Sequence, residues 1–491
     1  MLKPSTTLTI LMLLLVTLTT AAQDFAVRQG CRRGTPRPQT TTLRRGGSEG
    51  RIPGGDFYHG ERHQLTVLVA YNDRSFVGDE AATLEQWNLI FNTENLAEEP
   101  FKGSVHDYFH AQSYGEFNVV FDLVYVQVSG DAQKYASTQK DDENSQYLVE
   151  DIMEVLKTLD IDWSLYDWND DGYVNQLLIV YAGKGMNDGG GSDTIWPHQW
   201  WMSEHLKDRQ EGVYCEPIPV EDGDKTYLVD CYCALAELTR KNDYGSFGTI
   251  CHEYSHCFGF PDFYSSSTTQ IVGTWDLMDY GNFNGSGYQP SGYSAHERWL
   301  MGWLTPIECT ESITVSDMPA LCDEPQAYLL RNDAYENEYY IIENRQQRDW
   351  DTSLPGSGIV IFHIDYDPSI WTGITEWPNG GSMKRYTIFA ANNSAYTYSG
   401  WGYPYKSNNE LTNTSKPAAS LNHDNSDGTK LMSKPITAMA VTDGLASFEV
   451  NLTPTAVSEH VAITTPKVLY DLGPIRIIRC ANGEIKKVMK H

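Results

Sequence analysis

The chain has 491 residues, more than one typical domain and enough for two or three. A hydrophobic content of 41%, with 30 Tyr and 13 Trp, supplies real cores and excludes global disorder. A formal net charge of −29 argues against nucleic acid as a partner, because phosphate binding needs clustered Lys and Arg, whereas an acidic exterior fits an exported protein that stays soluble.

Lys3, an apolar run from Leu8 to Leu18 and the small residues up to Ala22 read as a secretory signal peptide over 1–22. The run is too short to span a bilayer, and no other stretch reaches eighteen apolar residues, so the mature chain is expected to be secreted without a membrane span. Residues 23–61 are rich in Arg, Gly, Thr and Pro and lack a core-forming pattern; they read as a flexible linker or a short pro-segment, with Cys31 as a candidate latency thiolate. A strand is predicted from Gln64 to Tyr71, an amphipathic helix over Ser145–Leu159, and a buried strand over Leu177–Tyr181.

Between the last two, Asp167, Asn169, Asp171 and Tyr173 place oxygen groups at alternate positions, with Gly172 sixth, as in a calcium loop. The twelfth position is Leu178 where an EF-hand needs Glu, so two readings stand: a looser calcium site using the Tyr173 carbonyl, or an Asx-rich turn before a strand.

The sharpest signal is His252-Glu253-Tyr254-Ser255-His256, with Ser246 as a candidate N-cap upstream. Residues four apart share a helix face, so both imidazoles can bind one zinc ion, while Glu253 can act on a water without being a ligand. Gly259 lets the chain leave the helix and Asp262 return as a third ligand, which leaves one position open as in a catalytic zinc site. Asp276 and Glu297 compete for that third place. Met278 falls in a predicted tight turn, the companion of metzincin zinc sites, and Tyr280 can donate to an oxyanion. The nine cysteines leave pairing unreadable; Cys309 and Cys322 are a candidate local bridge, and Cys251 and Cys257 read as small buried residues.

Mixed strands and helices describe an α+β catalytic domain of zincin type over 62–305, a mixed sheet with an active-site helix and a Met-turn. Beyond Pro306, alternating runs such as Glu338–Glu343, Gly358–Ile364 and Ala446–Val450 predict a β-sandwich-like domain over 306–454. The tail, 455–491, ends in a basic run.

Gly248–His256 through Pro261–Tyr264 resembles the M6, immune inhibitor A-like, metallopeptidases. So do Gly103–Phe109 with Gln112–Gly115, Tyr166–Gly172, Trp275–Met278, Ser294–Glu297 with Leu300–Leu304, and Glu343–Gln347 leading into Leu354–Gly356. The resemblance covers roughly residues 62–450 and implies a secreted zinc endopeptidase with bound calcium, zinc on His252, His256 and Asp262, Glu253 as base, and protein or peptide substrates. The N-terminal segment is shorter than the prodomains usual in that family. Val468–Leu472 and Ala481–Lys490 resemble C-terminal sorting segments of exported Bacteroidetes proteins, which implies outer-membrane export machinery as a partner. The competing reading is a secreted adhesin whose zinc and calcium only hold the fold.

Overall fold

The computed structural model describes residues 58–136, 144–208, 212–245, 247–266, 269–371 and 377–452, and the backbone of three strands within 467–489. The segment 1–22 read as a leader, Cys31 and Ser246 lie outside the described residues.

The N-terminal half is built on a five-stranded sheet. Strand β1 (Gly60–Ala70) lies parallel to β2 (Phe117–Gln127) on one side and to β3 (Leu177–Lys184) on the other. β5 (Cys231–Leu238) continues parallel to β3, and β4 (His198–Trp201) closes the edge antiparallel to β5. The order is therefore β2-β1-β3-β5-β4, a mixed sheet. β1 starts at Gly60 rather than Gln64, and it is buried on both faces from Leu65 to Ala70, as an inner parallel strand is. Helices α1 (Glu80–Asn92) and α2 (Val105–Gln112) connect β1 to β2. α2 begins with a capping box, in which Ser104 accepts from the Asp107 amide while the Asp107 carboxylate accepts from the Ser104 amide. Helix α3 (Ser145–Leu156) stops one turn before the predicted end, and Leu159 lies 43% exposed beyond the apolar face that the helix buries.

Helix α4 (Phe247–Cys257) carries the two histidines and packs against β5 and β4. Every residue from Phe247 to His256 is buried, so the helix lies inside the molecule rather than on it. Its first turn presses on residue 282 so closely that a Cβ on Gly248 would sit 1.9 Å from the Asn282 carbonyl oxygen. Only glycine fits there. Helix α5 (Ala295–Leu300) follows, with Ser294 and Glu297 forming its capping box.

The C-terminal half contains a second five-stranded sheet of order β6-β8-β9-β10-β11, from Ile307–Glu308, Tyr328–Arg331, Glu338–Arg345, Gly358–Asp365 and Tyr386–Ile388. A three-stranded antiparallel sheet, β7-β13-β12, comes from Ile313–Met318, Leu445–Val450 and Ile436–Thr442. Successive side chains of a strand face opposite ways, and β9 and β10 use both faces. Tyr340, Ile342, Ile359 and Ile361 join Val315 and Phe448 in one core. Tyr339, Ile341, Val360, Phe362 and Ile364 instead join the core of the N-terminal half. The second sheet is thus shared between two cores. Three further strands, β14 to β16 (Lys467–Leu472, Ile475–Arg479, Ile485–Met489), form an antiparallel sheet. Among the described residues no helix is long and apolar enough to cross a membrane.

Cys309 and Cys322 are free thiols, not the bridge expected from their spacing. Cys309 is buried near the start of the second sheet, and the Cys322 thiol meets Asp323 instead. Cys251 is buried as expected, whereas Cys257, at the end of α4, is only partly so.

Two buried histidines make the fold acid-sensitive. Burial lowers His205 to about 3, helped by His198, and lowers His296 to about 3 by burial alone, inside a cage of Tyr339, Tyr366, Trp371 and Tyr386. Both stay neutral when folded but take a proton when unfolded below pH ~6.5, so stability is present above that pH and is lost as pH falls toward 3, by about 1.4 kcal/mol per pH unit for each ring. Urea midpoints of wild type and His296→Phe between pH 7 and 5 test this. The variant should lose a clear part of the pH slope, and an unchanged slope would contradict the assignment.

Candidate metal centre

His252 and His256 lie one turn apart on α4, with ring centroids 4.8 Å apart. After Cys257 the chain turns at Gly259, whose φ of +92° favours glycine, and runs back along the helix. That return brings Asp262 Oδ1 to 3.3 Å from His252 Nε2 and 3.2 Å from His256 Nε2. All three residues are buried, and they are the one such group of three His, Cys, Asp or Glu residues among the described residues.

The ring nitrogens have assigned roles. His252 Nδ1 faces the Leu277 carbonyl at 2.8 Å and His256 Nδ1 faces the Phe260 carbonyl at 2.7 Å. A carbonyl only accepts, so each Nδ1 donates its hydrogen, which leaves each Nε2 as the atom that shares a cation, or in its place a proton, with Asp262. Two imidazole lone pairs and a carboxylate oxygen converging out of water are the donor set of a divalent cation. Burial acts to lower the pKa of His252, but hydrogen bonding to Asp262 and the charges of Glu253 and Asp262 outweigh it and raise the pKa to about 9. The pocket attracts positive charge. Glu253 is 2% exposed and close enough to His252 to contribute to that rise.

The segment 276–281 is a tight turn folded around Asp276, which accepts from Met278 N through Oδ1 at 2.8 Å and from Gly281 N through its carbonyl at 2.7 Å. Met278 is fully buried. The turn is tied to both arms of the site, since Leu277 O takes the His252 hydrogen and Met278 O takes the Phe263 amide at 2.8 Å, next to Asp262. Asp279 fixes the approach to the turn by accepting, on one oxygen, the amides of Ile271, Val272 and Gly273, each at 2.8 Å. Tyr280 is buried with its ring against Tyr264, two residues past Asp262, and against Phe283.

The competing carboxylates are engaged elsewhere. Asp276 Oδ2 accepts from the Tyr386 hydroxyl at 2.9 Å, and burial raises its pKa to about 6. Glu297 caps α5 through the Ser294 amide and hydroxyl, and burial, then the charge of Asp276, hold it well above the carboxylate range.

The calcium expectation finds no support. Asp167 accepts from the amides of Asp171 at 3.1 Å and Gly172 at 2.9 Å, and Asp171 accepts from the Tyr173 amide at 2.9 Å and the Asn169 side chain at 3.1 Å. Asp170 and Gly172 take positive φ. This is an Asx-rich turn leading toward β3, in which Asp167 and Asp171 are hydrogen-bonded within the turn itself.

Residues 70–303 match the family described as immune inhibitor A peptidase M6, catalytic domain. Immune inhibitor A of Bacillus thuringiensis subsp. alesti is 25% identical over 312 residues, which are 54% of this chain and 44% of that protein. The aligned part therefore spans less than half the length of this relative. Residues 70–303 are thus similar to a peptidase catalytic domain.

Proposed function

We propose that this protein is a secreted endopeptidase that uses zinc held by His252, His256 and Asp262. The convergence of those three buried ligand atoms, with Glu253 beside them, carries the reading. Their spacing supports zinc, because ligands ~2.0–2.1 Å from a tetrahedral ion lie about 3.3 Å from one another. When bound, zinc supplies Lewis-acid polarisation of the scissile carbonyl and acidifies a water. Glu253 takes the proton of the attacking water on its carboxylate and returns it to the leaving amine. Tyr280, two residues after Met278, donates its phenolic hydrogen to the developing oxyanion. Met278, buried in the turn whose Leu277 carbonyl orients His252, is the counterpart of a Met-turn methionine in this reading. Secretion rests on the leader read in 1–22, and the tail 455–491 is the candidate export address.

Cleavage of casein by the purified protein, blocked by 1,10-phenanthroline and restored by zinc, is the expected result. Stoichiometric zinc with no cleavage of casein or of a proteome-derived peptide library would reject the peptidase reading in favour of a binding protein.

A further inference from the structure

The two halves of the chain meet at the metal centre, through residues outside the M6 match. Tyr386 opens β11 in the second sheet and is fully buried. Its ring stacks on Phe263, the residue after Asp262, with centroids 3.9 Å apart and planes 22° apart. Its hydroxyl donates to Asp276 Oδ2 at 2.9 Å and lies 2.8 Å from Ser294 Oγ. Ser294 in turn donates to Glu297 at 3.0 Å.

Asn379, also fully buried, fixes Tyr386 and the same ligand segment together. Its amide donates to Phe263 O at 2.6 Å and to Tyr386 O at 2.7 Å, while its oxygen accepts from Arg385 N at 3.0 Å and Tyr386 N at 3.1 Å. Trp377 adds a hydrogen bond to Tyr264 O at 2.8 Å.

We infer that Tyr386 is a positioning residue for the metal centre, setting the third ligand through Phe263 and the orientation of His252 through Asp276. The path to His252 is short. Asp276 holds the Met278 amide, and the same peptide group carries the Leu277 carbonyl that orients the imidazole. Such outer partners fix ligand rotamer and tautomer, and losing one typically costs 10–100-fold in metal affinity or activity. The stack and the hydroxyl act on opposite arms of the site, so one side chain holds the distance between them. The second sheet is on this view part of the active centre rather than an appended module. The inference rests on the zinc reading above.

Tyr386→Phe tests it, because the ring stack is kept and only the hydroxyl is lost. In the full chain, zinc affinity by chelator competition should fall about 10–100-fold, and kcat at saturating zinc should fall with KM little changed. The visible spectrum of the cobalt-substituted protein should shift, which a general loss of stability does not produce. Asp276→Asn leaves one acceptor where the carboxylate serves both the Tyr386 hydroxyl and the Met278 amide, so it perturbs the same link from the other side and should shift the spectrum in the same sense. The double variant should be about as impaired as either single one, as expected for two members of one link. Tyr340→Phe removes a buried hydroxyl bond to Ser420 on the other face of the same sheet, and should leave affinity and spectrum unchanged. Wild-type affinity and spectrum in Tyr386→Phe, or strict additivity with Asp276→Asn, would overturn the inference. If Tyr386→Phe does not fold, the spectrum and affinity of Asp276→Asn decide alone. A wild type that takes up no metal would instead defeat the zinc reading itself.

Discussion

Glu253→Gln should bind zinc as the wild type does and cleave nothing measurable. The substitution is isosteric, and it leaves His252, His256 and Asp262 with the partners that orient them. It removes the carboxylate that takes up and returns a proton, a function worth about 10²–10⁴ in rate. The buried position of Glu253 sharpens the expectation, since little solvent is at hand to replace it as base. Zinc content by mass spectrometry should stay at one ion per chain, and kcat should fall without a matching rise in KM. The cobalt spectrum should keep its shape, which separates this variant from Tyr386→Phe. Proteolysis above roughly a tenth of the wild-type rate would remove Glu253 from the role of base.

How much of this was readable beforehand follows from the range of the interactions. The His pair was legible because helix periodicity alone places residues four apart on one face. Asp262 was legible because Gly259 allows a tight reversal, so the third arm of the site is a local event. Asp276 and Glu297 were readable as carboxylates near the site but not by role. What Asp276 does depends on Tyr386, which is 110 positions away in sequence. No pattern within β11 marks its first residue as a neighbour of Phe263. The loop from Asp167 to Tyr173 shows the opposite limit, because alternating Asx residues with a glycine serve an ion site and a self-bonded turn equally well. For Cys309 and Cys322, nearness in sequence gave no guide to pairing, because each thiol packs in a different setting. The strands beyond Pro306 were legible from their alternation, but alternation cannot reveal that both faces of β9 and β10 are covered.

Replacing a ligand should have an effect of similar size to Glu253→Gln by a different route. Asp262→Ala removes the oxygen that both Nε2 atoms face, and leaves two neutral imidazoles to hold the ion. Zinc should be lost on dialysis, proteolysis should vanish, and added zinc should restore little. Stability should change as well, because an ion that binds only the folded chain adds RT ln(1 + [L]/Kd), about 4 kcal/mol at a thousandfold excess over Kd. Wild type should therefore melt several degrees lower after chelation, whereas Asp262→Ala should melt at the same temperature with or without zinc. Glu297→Gln provides the contrast. Its amide oxygen can still cap α5, burial already disfavours the charge that the substitution removes, and it should retain one zinc ion with the thermal shift intact. Loss of zinc in Glu297→Gln, with retention in Asp262→Ala, would move the third ligand to α5. The geometry opposes that outcome, since the atom in contact with both imidazoles belongs to Asp262.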